Sequence, residues 1–121
     1  MFVADSDISV ALSIQFLLAA ENISSVVFSD GIELINLALV DEPACIVAES
    51  KLPDMTGLFM MQKLVAVGIN TPVILLTASD DIAAAVEAVK HGAWDYLEKP
   101  FMQHELLRSV TRAMALNANA Q

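Results

Sequence analysis

Apolar positions along the chain follow two alternating patterns. Short runs rich in Val and Ile read as five strands: Phe2-Val3-Ala4, Ser25-Val26-Val27-Phe28, Ala44-Cys45-Ile46-Val47-Ala48, Pro72-Val73-Ile74-Leu75-Leu76 and Trp94-Asp95-Tyr96-Leu97. Between them, residues 7–20, 31–40, 57–67 and 80–91 carry apolar side chains at helical period, and residues 102–116 close the chain in the same way. The punctuation agrees with these boundaries. Asp30-Gly31 and Thr56-Gly57 open two helices, and Ser79 or Asp80 is expected to cap a third by accepting backbone N–H bonds. Gly68 and Gly92 stand where helices should stop, and Pro43, Pro72 and Pro100 fall in connections.

The third and fourth strands are apolar throughout, as strands are when helices cover both faces of a sheet. Alternating βα units of this length call for right-handed crossovers and a parallel sheet. The expected class is therefore α/β, a (βα)5 doubly wound domain of five strands. In such folds functional groups gather beyond the carboxyl ends of the strands.

Composition narrows the function classes. With 121 residues the chain suits one domain, and 56% hydrophobic residues exclude a disordered tail. Six basic against 15 acidic side chains, a net charge of -9, argue against a nucleic-acid surface, which needs clustered Lys and Arg. Residues 10–20, the most apolar stretch, are broken by Ser13 and Gln15 and fall short of the roughly 18 apolar residues of a membrane span. The N-terminus lacks the positive region of a signal peptide, and the single Cys45 cannot form an internal disulfide. The expectation is a cytoplasmic domain, with no membrane and no nucleic acid as partner.

Just past the strands lie Asp5-Ser6-Asp7, Glu49-Ser50, Thr77-Ala78 and Lys99-Pro100. Any one of these polar ends is explained by contact with water; four in one doubly wound fold suggest a site. Carboxylates from the first and third strands would be hard oxygen ligands for Mg²⁺. A hydroxyl and an ammonium from the fourth and fifth would be donors toward a phosphoryl group in transfer.

With these residues in view, the chain resembles the receiver domain of two-component response regulators, the CheY-like superfamily, over essentially its full length. The segment Gly92-Ala93-Trp94-Asp95-Tyr96-Leu97-Glu98-Lys99-Pro100-Phe101 is most similar to FixJ- and NtrC-type receivers, and Leu52-Pro53-Asp54-Met55-Thr56-Gly57 to the loop after the third strand. The resemblance implies a flavodoxin-like strand order, 2-1-3-4-5. It makes Thr77-Ala78 the Thr/Ser–small pair, Lys99 the invariant lysine, Pro100 the usually cis proline and Tyr96 the rotating aromatic coupled to Thr77. A sensor histidine kinase or another signalling protein is the implied partner. A homodimer through the face of helix four, strand five and helix five is implied too, with residues 83–86, Trp94 and residues 106–114 as its surface.

Two positions depart from the family, and they are the ones that do the chemistry. Counting back from Pro53 and Gly57, Glu49 occupies the phosphoacceptor position, where the family carries Asp. Asp5 matches the first acid after strand one, but Ser6 stands where the second should be. Asp7 follows, though a neighbour in the chain points elsewhere. A glutamate pushes its carboxylate one methylene further into the pocket, and an error near ~1 Å costs in-line transfer on the order of 10²-fold. Loss of the second acid leaves Asp5 and Glu49 as the carboxylates able to hold a metal, so the expected cofactor is none, or weakly held Mg²⁺.

The reading is an atypical receiver, not an enzyme, acting through protein contacts without ordinary aspartyl phosphorylation. A sharper version has Glu49 imitating phosphorylated aspartate by reaching Lys99 and the Thr77 hydroxyl. Competing readings are a working receiver, with Glu49 or Ser50 accepting the phosphoryl group and Asp5 and Asp7 holding Mg²⁺, and a phosphate-independent dimerisation module of a transcriptional regulator. Residues 1–116 are taken as the domain and 117–121 as a tail or the start of a linker.

Cys45 reads as a small buried hydrophobe, and His91 and His104 as isolated. Of Met55, Met60 and Met61, one or two belong to the core. The helices over residues 10–20 and 32–40 carry apolar side chains on more than one face, which marks association surfaces.

Overall fold

A computed structural model describes residues 1–119. The strands are β1 (Phe2–Ala4), β2 (Val26–Phe28), β3 (Ile46–Glu49), β4 (Val73–Thr77) and β5 (Asp95–Glu98). The helices are α1 (Ile8–Ala20), α2 (Gly31–Ala38), α3 (Gly57–Ala66), α4 (Ile82–Lys90) and α5 (Gln103–Asn119), with a short 3₁₀ turn, Ser79–Asp81, leading into α4. All strand pairs are parallel and the order is β2-β1-β3-β4-β5, as expected for a doubly wound sheet.

Strand alternation sorts the core into two layers. Phe2, Ala4, Ile46, Ala48, Val73 and Leu75 pack with Leu34, Met60, Leu64 and Ala88 of α2, α3 and α4. Val3, Val47, Ile74 and Leu76 face Ala11, Ile14 and Leu18 of α1 and Leu106, Val110 and Ala113 of α5. Met60 and Met61 are buried and Met55 packs against the same layer, so all three methionines serve packing. Cys45 is fully buried just ahead of β3, and burial pushes its thiol up to about 12.

The caps hold with one exception. Asp30 accepts from the Glu33 N–H and Thr56 from the Phe59 N–H. Gly68 and Gly92 take φ of 86° and 114° after α3 and α4, a region that favours glycine. Neither Ser79 nor Asp80 caps α4, however. They lie inside the 3₁₀ turn, and the N-cap position falls to Asp81, whose side chain makes no cap bond. The tighter turn consumes the residues that a direct helix start would have used as caps.

Helix α5 continues to Asn119, three residues beyond the expected end at 116. The last residues of the expected tail, Ala120 and Gln121, lie outside the described residues. Gly57 opens α3 where a Cβ would come within 2.5 Å of Leu75 Cδ2, so a larger residue there would force the Leu75 side chain to shift.

No helix among the described residues is long and apolar enough to cross a membrane. Large apolar side chains are left uncovered on α1 (Ile8, Leu12, Phe16), at Ile32 of α2 and just past its end at Leu39 and Val40, with Phe16 at 79%; Phe59 and Val65 of α3 and Val86 and Val89 of α4 are exposed too. The expected dimer face is reduced. Leu106, Val110 and Ala113 recur at helical spacing and are fully buried against the sheet, which removes them from any surface. Ala83, Ala84 and Val86 remain exposed on α4.

Two substitutions separate core from surface. Ile74→Ala, at a fully buried site, is expected to cost about 2–5 kcal/mol in urea unfolding, whereas Phe16→Ala should change stability by less than about 0.5 kcal/mol. Equal costs at the two sites would contradict this division.

Candidate functional site

The register of the sheet builds the site. Ala4 pairs with Ala48, so Asp5, directly after β1, comes level with Glu49 at the end of β3. Glu98 pairs with Thr77, and Lys99 follows β5 on the same rim. Glu49 and Ser50 are consecutive, so alternation turns them to opposite sides. Glu49 turns toward Ser6 and Lys99, and Ser50 toward α4.

Asp5 is completely buried. Its Oδ2 accepts from Lys99 Nζ at 2.7 Å and its Oδ1 from the Asp7 N–H at 2.9 Å. Lys99 also donates to Glu49 Oε2 at 3.2 Å, so one ammonium joins the ends of three strands. The other Glu49 oxygen, Oε1, accepts from the Ser6 hydroxyl at 2.7 Å and from the Ser6 N–H at 3.1 Å. Burial draws the Glu49 carboxyl upward, but the Ser6 donors and Lys99 outweigh it and hold the group below the usual range. Burial likewise lowers Lys99, and its bonds to the Asp5 and Glu49 carboxylates more than reverse this, leaving it above its ordinary value.

The remaining expected residues divide. Asp7 turns away and caps α1, accepting from Ser9 Oγ at 2.6 Å and Ser9 N at 3.0 Å; these bonds lower its carboxyl. Thr77 is fully buried and donates to the Ala78 carbonyl at 3.2 Å. No hydrogen bond joins Thr77 to Glu49 among the described residues, so of the two expected partners Glu49 reaches Lys99 alone. Tyr96 is half-buried with its ring packed on the α2–α4 layer. The Lys99–Pro100 peptide is cis. Ser50 is buried with its hydroxyl donating to Asp81 Oδ2 at 2.8 Å, on the far side of the strand from Asp5.

Two residues escaped the reading of the sequence. Asp54 spans the N-terminus of α2, accepting from the N–H groups of Gly31 and Ile32 at 2.9 Å each. Slight burial raises its carboxyl, and these bonds more than reverse the effect. A cap supplied from 22 or 23 residues away leaves no local signal. Asp81 is the second, standing at the N-cap position where the sequence points to Ser79 or Asp80. The parity of Ile46, Ala48 and Ser50 does point Ser50 at the layer that contains α4, and following it would have led to Asp81.

A model of the response regulator receiver domain family matches residues 1–111. The chain belongs to that family. This receiver is 34% identical to nodulation protein W of Bradyrhizobium diazoefficiens over 93% of its length, covering 50% of that protein. It is 32% identical to the transcriptional regulatory protein TdiR of Thauera aromatica over 97% of its length, covering 52% of that one. The chain thus spans about half the length of these curated relatives. Among solved structures it is similar to full-length FixJ from B. japonicum, with TM-score 0.91 and 29% identity over 98% of this chain and 59% of that one. It is similar also to the Francisella response regulator 1452 receiver domain, with TM-score 0.84 and 32% identity, covering 99% of this chain and 97% of that one. It is therefore a receiver domain of two-component signalling, a class of signalling domain rather than of enzyme.

Receiver domains in general bind Mg²⁺ at the phosphorylation site. Here Asp5 and Glu49 are the side chains that could hold the ion, since their Oδ2 and Oε2 converge on the same ammonium. Mg²⁺ demands near-octahedral oxygen ligands, and position 6 offers a neutral hydroxyl already committed to Glu49. No group of three or more His, Cys, Asp or Glu side chains among the described residues is placed to hold a metal. These residues fit a tightly bound Mg²⁺ poorly.

Lys99→Met leaves the buried Asp5 carboxylate without its cation and is expected to cost about 3–5 kcal/mol in denaturant unfolding. The pairing also sets the pH response. Stabilisation from Glu49 is present above its ordinary 4.5 and is lost as pH falls through the lowered folded value. That from Lys99 is complete below 10.5 and is lost as pH rises through the raised folded value. Glu49→Gln should therefore shallow the loss of stability on the acid side; an acid limb identical to that of the parent would contradict the pairing.

Proposed function

We propose that this receiver is atypical: it signals through protein contacts and does not accept a phosphoryl group in the ordinary Mg²⁺-dependent way. The observation that carries this is the engagement of Glu49, whose two carboxylate oxygens both accept from the protein's own donors, Ser6 and Lys99. A nucleophile must present a free lone pair in line with the phosphorus, and displacement by about 1 Å costs roughly 10²-fold. Glu49 carries its oxygens further along the side chain than an aspartate would, and Ser6 fixes them there. Position 6 contributes no negative charge to offset a divalent ion, so Mg²⁺ binds weakly or not at all.

Ser50 is a poor substitute acceptor, because it is buried and donates to Asp81 on the opposite side of the strand. Asp7 is a poor substitute ligand, because it is engaged with Ser9. A permanently active-like state is also disfavoured. Glu49 mimics a phosphoryl group at Lys99, but the Thr77 hydroxyl donates to Ala78 instead. The reading that remains is a cytoplasmic docking domain whose partners are a sensor histidine kinase or another signalling protein. A second receiver would pair across α4 and β5.

Backbone amide NMR with Mg²⁺ and then beryllium fluoride, a phosphoryl mimic, tests this. The parent is expected to show no saturable shifts at Asp5, Glu49, Thr77 and Lys99, and the Glu49→Asp, Ser6→Asp double variant to show them. Saturable shifts in the parent that spread to Tyr96 would overturn the proposal, as would silence in the double variant.

A further inference from the structure

A second network starts one residue beyond Glu49 and runs the other way. Asp81 occupies the N-cap position of α4, yet its carboxylate does not cap that helix. It accepts instead from Ser50 Oγ at 2.8 Å, and Lys51 Nζ lies 3.6 Å from its other oxygen. Both Ser50 and Asp81 are buried, at 7% and 9% exposure, so the bond is shielded from competing water. The exposed Lys51 adds little, since such pairs are screened.

The backbone around Ser50 is anchored on both sides. Its N–H donates to Leu76 of β4 at 2.8 Å, and its carbonyl accepts from Gly57 at the start of α3 at 2.8 Å. Lys51 and Thr56 form an antiparallel bridge that closes the loop between them. Residues 49 and 50 therefore sit at the end of a stiff strand, with one side chain in the Lys99 site and the next holding the start of α4. A cavity of about 170 Å³ lined by Ser50, Thr56, Leu75, Asp81 and Ala84 adjoins the pair. It leaves space beside the Asp81 side chain, and an aspartate at this position ordinarily caps its own helix.

We propose that the Ser50–Asp81 bond is a positioning link, which makes the first turn of α4 answer to the backbone at residue 49. Asp81 has two arrangements. Bound to Ser50 it holds the 3₁₀ turn Ser79–Asp81 against the loop after β3; released, it caps α4. Displacement of Glu49, whether by a partner or by a change in its bonds to Ser6 and Lys99, moves Ser50 and shifts the balance between them. The link is independent of whether the pocket accepts a phosphoryl group, since neither Ser50 nor Asp81 touches Asp5 or Lys99.

The test uses amide hydrogen exchange and chemical shifts of the full chain in a thermodynamic cycle. Ser50→Ala should speed exchange of the 79–86 amides at least about tenfold while those of β1 and β3 keep their protection. Asp81→Ala, which removes the link and the alternative cap together, should speed it further, and Asp81→Asn, which keeps an acceptor oxygen, should restore most of the protection. The decisive readout is coupling. Glu49→Gln should shift the amides of residues 79–84 in the parent and lose at least about half of that shift in the Ser50→Ala or Asp81→Ala background. Shifts of equal size with and without the link would overturn the proposal. So would their absence in the parent, or a loss of protection spread evenly over the sheet.

Discussion

Lys99 reaches across the carboxyl ends of three strands, and the site takes its shape from that reach. Its ammonium bonds Asp5 at 2.7 Å and Glu49 at 3.2 Å, which ties the end of β5 to those of β1 and β3. Asp5 is fully buried, so it must have a cation, and no other basic side chain among the described residues lies in salt-bridge range of it. The Glu49 carboxylate then needs a partner for its second oxygen. Ser6 supplies one through both hydroxyl and backbone N–H.

Positions 6 and 49 meet in one contact, the Ser6 hydroxyl and N–H both donating to Glu49 Oε1. An extra methylene at position 49 brings a carboxylate oxygen to position 6. A second acid there would place Asp5, position 6 and Glu49 in mutual repulsion around one lysine. A serine turns the same contact into a short hydrogen bond. The rim then holds two carboxylates on one ammonium, with the Ser6 donors supporting the second oxygen of Glu49. Glu49 and the next residue, Ser50, stand between the Lys99 cluster and the start of α4, bonded to one on either side of the strand.

The fold was legible in the sequence because its signals are local and repeated. Five apolar runs, the glycines at 68 and 92 and the caps at Asp30 and Thr56 each report on their own neighbourhood. The strand-end residues Asp5, Glu49 and Lys99 were legible as a group through the rule that parallel folds place function there. The contacts made across the chain were not. Ser6 read as a missing ligand rather than a donor, because only the pairing of Ala4 with Ala48 brings it to Glu49. Thr77 read as a partner of Glu49, yet its hydroxyl is taken by the next carbonyl along its own chain. Asp54 and Asp81 serve elements 22 to 31 residues distant. Leu106, Val110 and Ala113 of α5 fall within the dimer surface that the resemblance implies, yet the sheet covers them, a contact that no local signal reports.

Intact-mass analysis after incubation with acetyl phosphate and Mg²⁺ tests the central claim most directly, with a receiver carrying the usual acids run alongside as the positive control. This chain is expected to keep its mass unchanged while the control gains a phosphoryl group. A phosphoryl adduct on this chain that maps to Glu49 would contradict it, since the carboxylate would then be free to attack despite Ser6 and Lys99.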